Sequence, residues 1–373
     1  MNLFELDPQP MADLLHGVAW DFQQARVLQV AVRLDLFTAL ASGSRTAAEL
    51  AAALGTDPAM TERLLIALAA LDLVGVDAER WANRLAADLY LVAGRPLYQG
   101  QAIRHAADLW DLYSDLERAV REGAGGERRA LRRRSSPRPH GDFILAMHGL
   151  AVAGQAQRLA RLVGQFAGRR RLLDVGAGPG TYSIALCERF PTLTATLWDL
   201  PESLEIARVI VASSDVHDRI DFQAGNWETD QFGHGYDALL MSNILHGPGS
   251  RAREKLVKAY STLAEGGLLV VQDFLLDNDL SGPLPAALFN LRNGAFTVDQ
   301  MLAVIEEAGF ERVSLVSTAG RTAIVIAFKP HGRAGGVDSE QAAALPEIDV
   351  ELGIEIPGMR LSPRGEAGGP ENG

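Results

Sequence analysis

The stretch Leu172–Tyr182, LLDVGAGPGTY, decides the fold. An apolar run reaching Asp174 gives way to Gly176, Gly178 and Gly180, and then to TYSIALCERF, where apolar residues return at helical spacing. Glycines between a strand and a helix let the main chain turn sharply and approach a ligand where a Cβ would clash. The spacing is G-x-G-x-G, whereas the dinucleotide fingerprint G-x-G-x-x-G would need glycine at Thr181. Asp199, at the end of the next strand-like run, LWDLP, stands at about the 20-residue distance from which a carboxylate reaches two ribose hydroxyls. Strand, acid, glycine turn, helix and second acid together predict a site for an adenosine-bearing ligand.

Outward from this turn, β-rich runs alternate with helical segments: TATLWDL, IDFQAG, YDALLMSNIL and LLVVQDF, then RVSLVS and TAIVIAF. Such alternation predicts an α/β, Rossmann-like domain with a mostly parallel sheet over 166–330, its last two runs forming an antiparallel hairpin at the edge. Upstream the texture is helical, with Leu14, Leu15, Val18, Phe22, Val27, Val30 and Leu34 spaced for amphipathic helices. TAAELAAALGTDPAMTERLLIALAALDLVG reads as two helices separated by Gly55 and Asp57-Pro58 and closed by Gly75, a helix-turn-helix pattern. Residues 76–91 take the place of a two-stranded wing although they read as partly helical. The expected organisation is an all-α, winged-helix-like domain over 1–105, linker helices over 106–165, and then the α/β domain. Between 118 and 138 eight arginines face only Glu122 and Glu127, which predicts a basic loop, a solvated connector unless it meets an anionic substrate or nucleic acid. The segment 331–373, acidic and rich in Gly and Pro, is expected to be disordered.

Composition narrows the function. The chain has 373 residues, with 35 Lys and Arg against 47 Asp and Glu, a net charge of −12 that argues against a nucleic-acid partner. The second helix of the helix-turn-helix carries one arginine against Glu62 and Asp72, a poor recognition helix. Cys187 is the single cysteine, so no intramolecular disulfide can form, and no compact spacing of His, Asp and Glu suggests a metal. The N-terminus MNLFELDPQP lacks a basic segment, and no apolar run approaches about 18 residues, so a cytoplasmic protein without a membrane partner is expected.

With these elements placed, the chain resembles the S-adenosylmethionine-dependent O-methyltransferases of small phenolic and polyketide molecules, the caffeate, acetylserotonin and anthracycline type. The resemblance spans roughly residues 10–330 and rests on LLDVGAGPGTY, DLP, FILAMHGLA (143–151), DRIDFQAGNW (218–227), YDALLMSNILH (236–246), AEGGLLVVQDFLL (264–276) and EEAGF (306–310). It implies S-adenosylmethionine as cofactor, a homodimer built through the N-terminal domain, and a small aromatic or polyketide-like substrate. Gly176, Gly178 and Gly180, with Asp174 before them, would line the methionine and ribose end, Asp199 would take the ribose hydroxyls, and Asn226-Trp227 would flank adenine. Phe143 and Met147 would close over cofactor and substrate, and Met147 and Asn290 would face the substrate. His246 stands at the end of YDALLMSNILH where the family carries its general base, a task suited to an imidazole. Asp273 in VVQDF would orient it.

The chain also departs from the family. Asn226 replaces an acid, though its carbonyl oxygen can accept from the adenine amine. Gly247-Pro248-Gly249 follows the histidine where relatives have Asp-Trp, Ala295 stands where a second glutamate is expected, and the chain is short around 289–297. Two alternatives follow: the same fold and cofactor used for carbon methylation or a non-methylating reaction, and, more remotely, a DNA-binding regulator.

Overall fold

The computed structural model describes residues 9–123 and 140–331 of the chain. The acidic tail from 332 and the basic stretch 124–138 lie outside the described residues. Arg118 and Arg121 belong to the helix Leu116–Glu122, so the expected loop begins later than residue 118. Both arginines are paired, Arg118 with Asp115 and Glu122, and Arg121 with Glu117.

The N-terminal helices form where caps and breakers allow. Thr46 and Glu49 make a reciprocal capping box on the helix Ala47–Leu54, which ends at Gly55 in the left-handed conformation. Asp57 accepts from Met60 N at 2.8 Å and starts the helix Pro58–Ala70 with proline in its first turn. β1 (Val74–Asp77) and β2 (Arg80–Asn83) then pair antiparallel as a small wing. The helical character read near 76–91 belongs to Leu85–Tyr90, directly after the wing. Leu36, Phe37, Leu40, Leu50, Leu65, Leu68 and Val74 fill the core of this unit. By contrast Leu14, Leu15, Val18 and Trp20, on the helix Gln9–Trp20, are all more than half exposed.

Seven strands build the second core: β3 (Arg171–Val175), β4 (Thr194–Asp199), β5 (Ile220–Ala224), β6 (Tyr236–Ser242), β7 (Leu263–Asp273), β8 (Glu311–Ser317) and β9 (Ala323–Phe328), in the order β5-β4-β3-β6-β7-β9-β8. The first five in that order run parallel, β9 is antiparallel to β7, and β8 is antiparallel to β9. Leu172, Ala238, Leu240, Leu268 and Val270 pack on one face, and Leu173, Val175, Leu239, Met241, Leu269 and Val271 on the other. Because both faces are covered at the centre of the sheet, β6, β7 and β9 read as near-continuous apolar runs, while the edge strands β5 and β8 stay largely exposed. The chain winds outward in opposite directions from β3 and β6. Open α/β sheets bind ligands in the crevice that such a reversal leaves at the carboxyl ends of the strands, and Asp174, Asp199, His246 and Asp273 all lie at that end.

Among the described residues no helix is long and apolar enough to cross a membrane.

Candidate active site

The turn after β3 carries three glycines with φ of 69°, 53° and 74° at 176, 178 and 180, a region that side chains disfavour. Their surroundings separate them. A Cβ on Gly176 would stand 2.8 Å from Ile244 Cγ2, and one on Gly180 would stand 2.5 Å from Leu197 Cδ1, so protein packing alone forbids a side chain at both. A Cβ on Gly178 would meet only Ile144 Cδ1, at 4.0 Å, which leaves open space above this residue. Gly178 N donates to Asp199 Oδ2 and Leu200 N to Asp199 Oδ1, each at 2.7 Å. One carboxylate thus ties the glycine turn to the start of the helix Pro201–Ala212 and keeps further lone pairs for a ligand.

Asp174 lies buried beneath this turn and accepts from Ser183 Oγ at 2.7 Å. Burial pushes its carboxyl up from 3.8 to about 7, with the Ser183 hydrogen bond opposing the rise and the Asp199 charge adding to it. Unfolded, the group ionises near 3.8, so between that value and 7 the folded chain holds a proton that the unfolded chain has released. The stability contributed by Asp174 is therefore fully present below 3.8 and lost as the pH rises toward 7. Its slope reaches about 1.4 kcal/mol per pH unit. Urea denaturation from pH 5 to 7.5 is expected to show this decline in the wild type relative to Asp174→Asn; equal slopes would show that the buried carboxyl does not hold the proton.

The helix His140–Leu150 covers the glycine turn. Its His148 Nδ1 lies 2.8 Å from Thr181 Oγ1, and His140 Nε2 lies 2.8 Å from Ser203 Oγ. Met147 is half-buried on this helix, while Phe143 is exposed, its ring edge-on to His105 at 5.5 Å. Asn226 makes a local turn, its Oδ1 accepting from Glu228 N at 2.9 Å and its own N–H donating to Asp230 Oδ2 at 2.8 Å, so one acceptor position of its carbonyl is taken within the chain. Trp227 is half-buried under Lys255 Nζ and the Arg251 guanidinium, 4.3 and 4.9 Å from its ring.

His246 does not end the strand as the sequence suggested. β6 stops at Ser242, because Asn243 takes φ of 56° and turns the chain out of the sheet while its N–H donates to Gln272 O at 2.7 Å. Lys255 Nζ donates to Ile244 O at 2.8 Å and pins the turn. Leu245 N then donates to Asp273 Oδ2 at 2.9 Å, and His246 Nδ1 stands 2.8 Å from Asp273 Oδ1, which also accepts from Phe274 N at 2.8 Å. Asp273 ends β7 and is fully buried, and its known partners are backbone donors. It acts as acceptor toward the ring as well, so the proton of a neutral imidazole sits on Nδ1 and Nε2 keeps its lone pair.

The two departures beyond His246 turn out to be one feature. A Cβ on Gly247, whose φ is 47°, would lie 2.8 Å from Gly294 C and 2.9 Å from Ala295 N. The short 289–297 segment runs directly against the glycine that follows the histidine, and no side chain fits between them. Asn290 Oδ1 accepts from Ala295 N at 2.8 Å and closes the end of the helix Leu284–Asn293.

Several residues at this end of the sheet escaped the sequence reading. Gln272, fully buried on β7, donates to Tyr182 Oη at 2.7 Å, and Tyr182 Oη donates to Gln155 Oε1 at 3.2 Å. The side-chain oxygens of Gln272 and Asn243 are buried with no partner among the described residues. A glutamine inside the apolar run LLVVQDF was the available signal. Phe289 and Phe274, stacked at 4.3 Å with planes 5° apart, form an aromatic wall 4.8 Å from the His246 ring. Among the described residues no group of three or more His, Cys, Asp or Glu could hold a metal.

A glycine turn bonded to an acidic strand end, with a histidine–aspartate pair on the far side of the sheet reversal, stands at the ligand-binding edge of a Rossmann-like sheet. Residues 143–314 match the O-methyltransferase domain family and residues 18–93 the O-methyltransferase dimerisation domain. The chain is 32% identical over 286 residues to the 3-hydroxy-5-methyl-1-naphthoate 3-O-methyltransferase of Streptomyces sahachiroi, covering 74% of this chain and 81% of that protein. It is 29% identical over 324 residues to an N,N-dimethyltransferase of Streptomyces rimosus, covering 83% and 94%. The fold is that of human N-acetylserotonin methyltransferase in complex with SAM, with a TM-score of 0.75 and 23% identity over 86% of this chain and 98% of that one. The chain belongs to the S-adenosylmethionine-dependent O-methyltransferase family that acts on small molecules.

Proposed function

We propose that this enzyme transfers the methyl group of S-adenosylmethionine to a hydroxyl of a small aromatic or polyketide-like molecule, with His246 as general base. The observation that carries the reading is the Asp273–His246 pair, which leaves Nε2 free beside an aromatic wall. The naphthoate substrate of the Streptomyces sahachiroi relative supports the substrate class.

The residues fit the cofactor. The open space over Gly178 and the unpartnered oxygens of Gln272 and Asn243 are features that packing of the chain alone does not require, and Asp199, though bonded to the turn, keeps lone pairs for a ligand. Asp199 would hold the ribose, Gly176, Gly178 and Gly180 would border the methionine end, Asn226 and Trp227 would flank adenine, and Phe143 and Met147 would close the site. Asp174 supports the turn from below. When bound, S-adenosylmethionine supplies an electrophilic methyl group on a sulfonium. The chain's own part is to align and to accept a proton. His246 Nε2 takes the hydroxyl proton, Asp273 fixes the ring and stabilises the imidazolium, and the Phe289–Phe274 wall keeps water from the reacting oxygen. Alignment can contribute roughly 7 to 11 kcal/mol, and the base about 100- to 10,000-fold.

Incubation with labelled S-adenosylmethionine and a panel of phenols, hydroxyquinones and keto acids, followed by NMR of the product, tests this reading. Label on a hydroxyl oxygen is expected; label on carbon or nitrogen alone would overturn it.

Residues 1–105 form the dimerisation unit in this reading and 166–330 the cofactor-binding unit. The exposed Leu14, Leu15, Val18 and Trp20 are apolar surface of the kind that obligate dimers bury. Light scattering at micromolar concentration is expected to give a twofold mass. A monomer would sink the assignment.

A further inference from the structure

The helix Leu284–Asn293 presents Phe289 and Arg292 on one face, a single turn apart. The Phe289 ring lies 4.8 Å from the His246 ring and carries the Arg292 guanidinium 5.3 Å from its centroid. Arg292 is half-buried, and burial lowers its pKa from the ordinary arginine value. A cation withdrawn from water is costly unless its donors are satisfied. Other buried cations of this chain meet that need with oxygen acceptors. Arg158 donates to Thr322 O and Ser317 Oγ, Arg169 to Asp237 O and Gly266 O, and Lys255 to Ile244 O. Arg292 has no hydrogen bond or ion pair among the described residues. The nearby Tyr113 hydroxyl is directed to Leu288 O at 3.4 Å. A planar fork of N–H donors thus lies over the ring that also meets the proposed base, with no acceptor among the described residues.

We propose that Arg292 binds a carboxylate carried by the aromatic substrate, so that the substrate spans from its reacting hydroxyl at His246 to its acid at Arg292. The hydroxyl end rests on the O-methyl transfer reading; the acid end does not. Both side chains lie against the same phenyl ring, which is what places the acid end of the proposed substrate near its hydroxyl end. The guanidinium is matched to the acid, because it meets both carboxylate oxygens with parallel hydrogen bonds and stacks on Phe289 at the same time. This makes Arg292 a determinant of substrate choice among hydroxyarenes: acids are taken, and their esters and unsubstituted phenols are bound weakly.

The test is calorimetric titration of the full-length protein, saturated with S-adenosylhomocysteine, with 3-hydroxy-1-naphthoate and 6-hydroxy-2-naphthoate, the methyl ester of each, and 2-naphthol. At least one acid is expected to bind about tenfold or more tightly than its own ester. Arg292→Gln is expected to bring that acid to the affinity of the ester while the ester, 2-naphthol and S-adenosylhomocysteine bind as in the wild type, and Arg292→Lys to keep part of the preference. Equal binding of acids and esters by the wild type overturns the proposal. So does a preference that survives Arg292→Gln, or an equal loss of acid and ester in that variant, which would mean that Arg292 only supports Phe289. No methyl group moves in this titration. A preference for the acid without methylation of its hydroxyl would therefore sink the reaction reading and leave the carboxylate site standing.

Discussion

His246→Ala is expected to lower turnover at least about 100-fold while the affinity for S-adenosylhomocysteine stays at its wild-type value, the pattern of a lost general base. The imidazole is fixed by Asp273 on one side and rests on Phe289 on the other, so its removal leaves a space beside an intact sheet. Asp273 is a different case, because its two oxygens serve Leu245 N, Phe274 N and His246 Nδ1 together. Asparagine offers one acceptor oxygen for these donors and turns an NH2 group toward the remaining one. Asp273→Asn is therefore expected to reduce turnover less than loss of the base, while lowering the melting temperature through an unsatisfied buried donor. Turnover of His246→Ala near the wild-type rate on the true substrate would leave the histidine a positioning role at most and favour carbon methylation or non-methylating chemistry.

The sheet was legible because both faces of its central strands are buried: β3, β6, β7 and β9 each carry an apolar run, whereas the edge strands β5 and β8 are largely exposed. The wing was harder to see. Its two-residue turn, Ala78-Glu79, has φ of 44° and 66°, the backbone of a primed hairpin turn without the Asn or Gly that usually announces one. His246 was found through its place after YDALLMSNIL, although Asn243 carries it out of the strand, and Asp273 through the end of VVQDF. The pairing of Gly247 with Gly294 was not legible, since a sequence shows two anomalies and only the fold brings them into contact. The same holds for Phe289 and Arg292. Their value comes from Phe289 meeting the His246 ring while carrying Arg292, and from the lack of a partner for Arg292 among the described residues, and neither property has a local sequence signal.

Asp199→Ala is expected to weaken S-adenosylhomocysteine binding by more than about 100-fold, since two charge-assisted hydrogen bonds to ribose are together worth about 3 to 6 kcal/mol. The same carboxylate also accepts from Gly178 N and Leu200 N, so its loss frees the glycine turn as well as the ligand. These two effects can be separated. Asp199→Asn keeps one acceptor for the turn but lacks the charge, and it is expected to bind with intermediate affinity. Gly178→Val leaves Asp199 in place and puts a side chain into the open space over the turn, where its Cβ meets no close protein atom although φ of 53° is disfavoured for valine. It is expected to abolish binding while lowering the melting temperature far less than Gly180→Val, whose side chain would collide with Leu197 in the core. Calorimetry for affinity and thermal melts without ligand distinguish the two losses. Wild-type affinity in both Asp199→Ala and Gly178→Val would mean that the ribose is held elsewhere, and the cofactor site built on the turn after β3 would have to be abandoned.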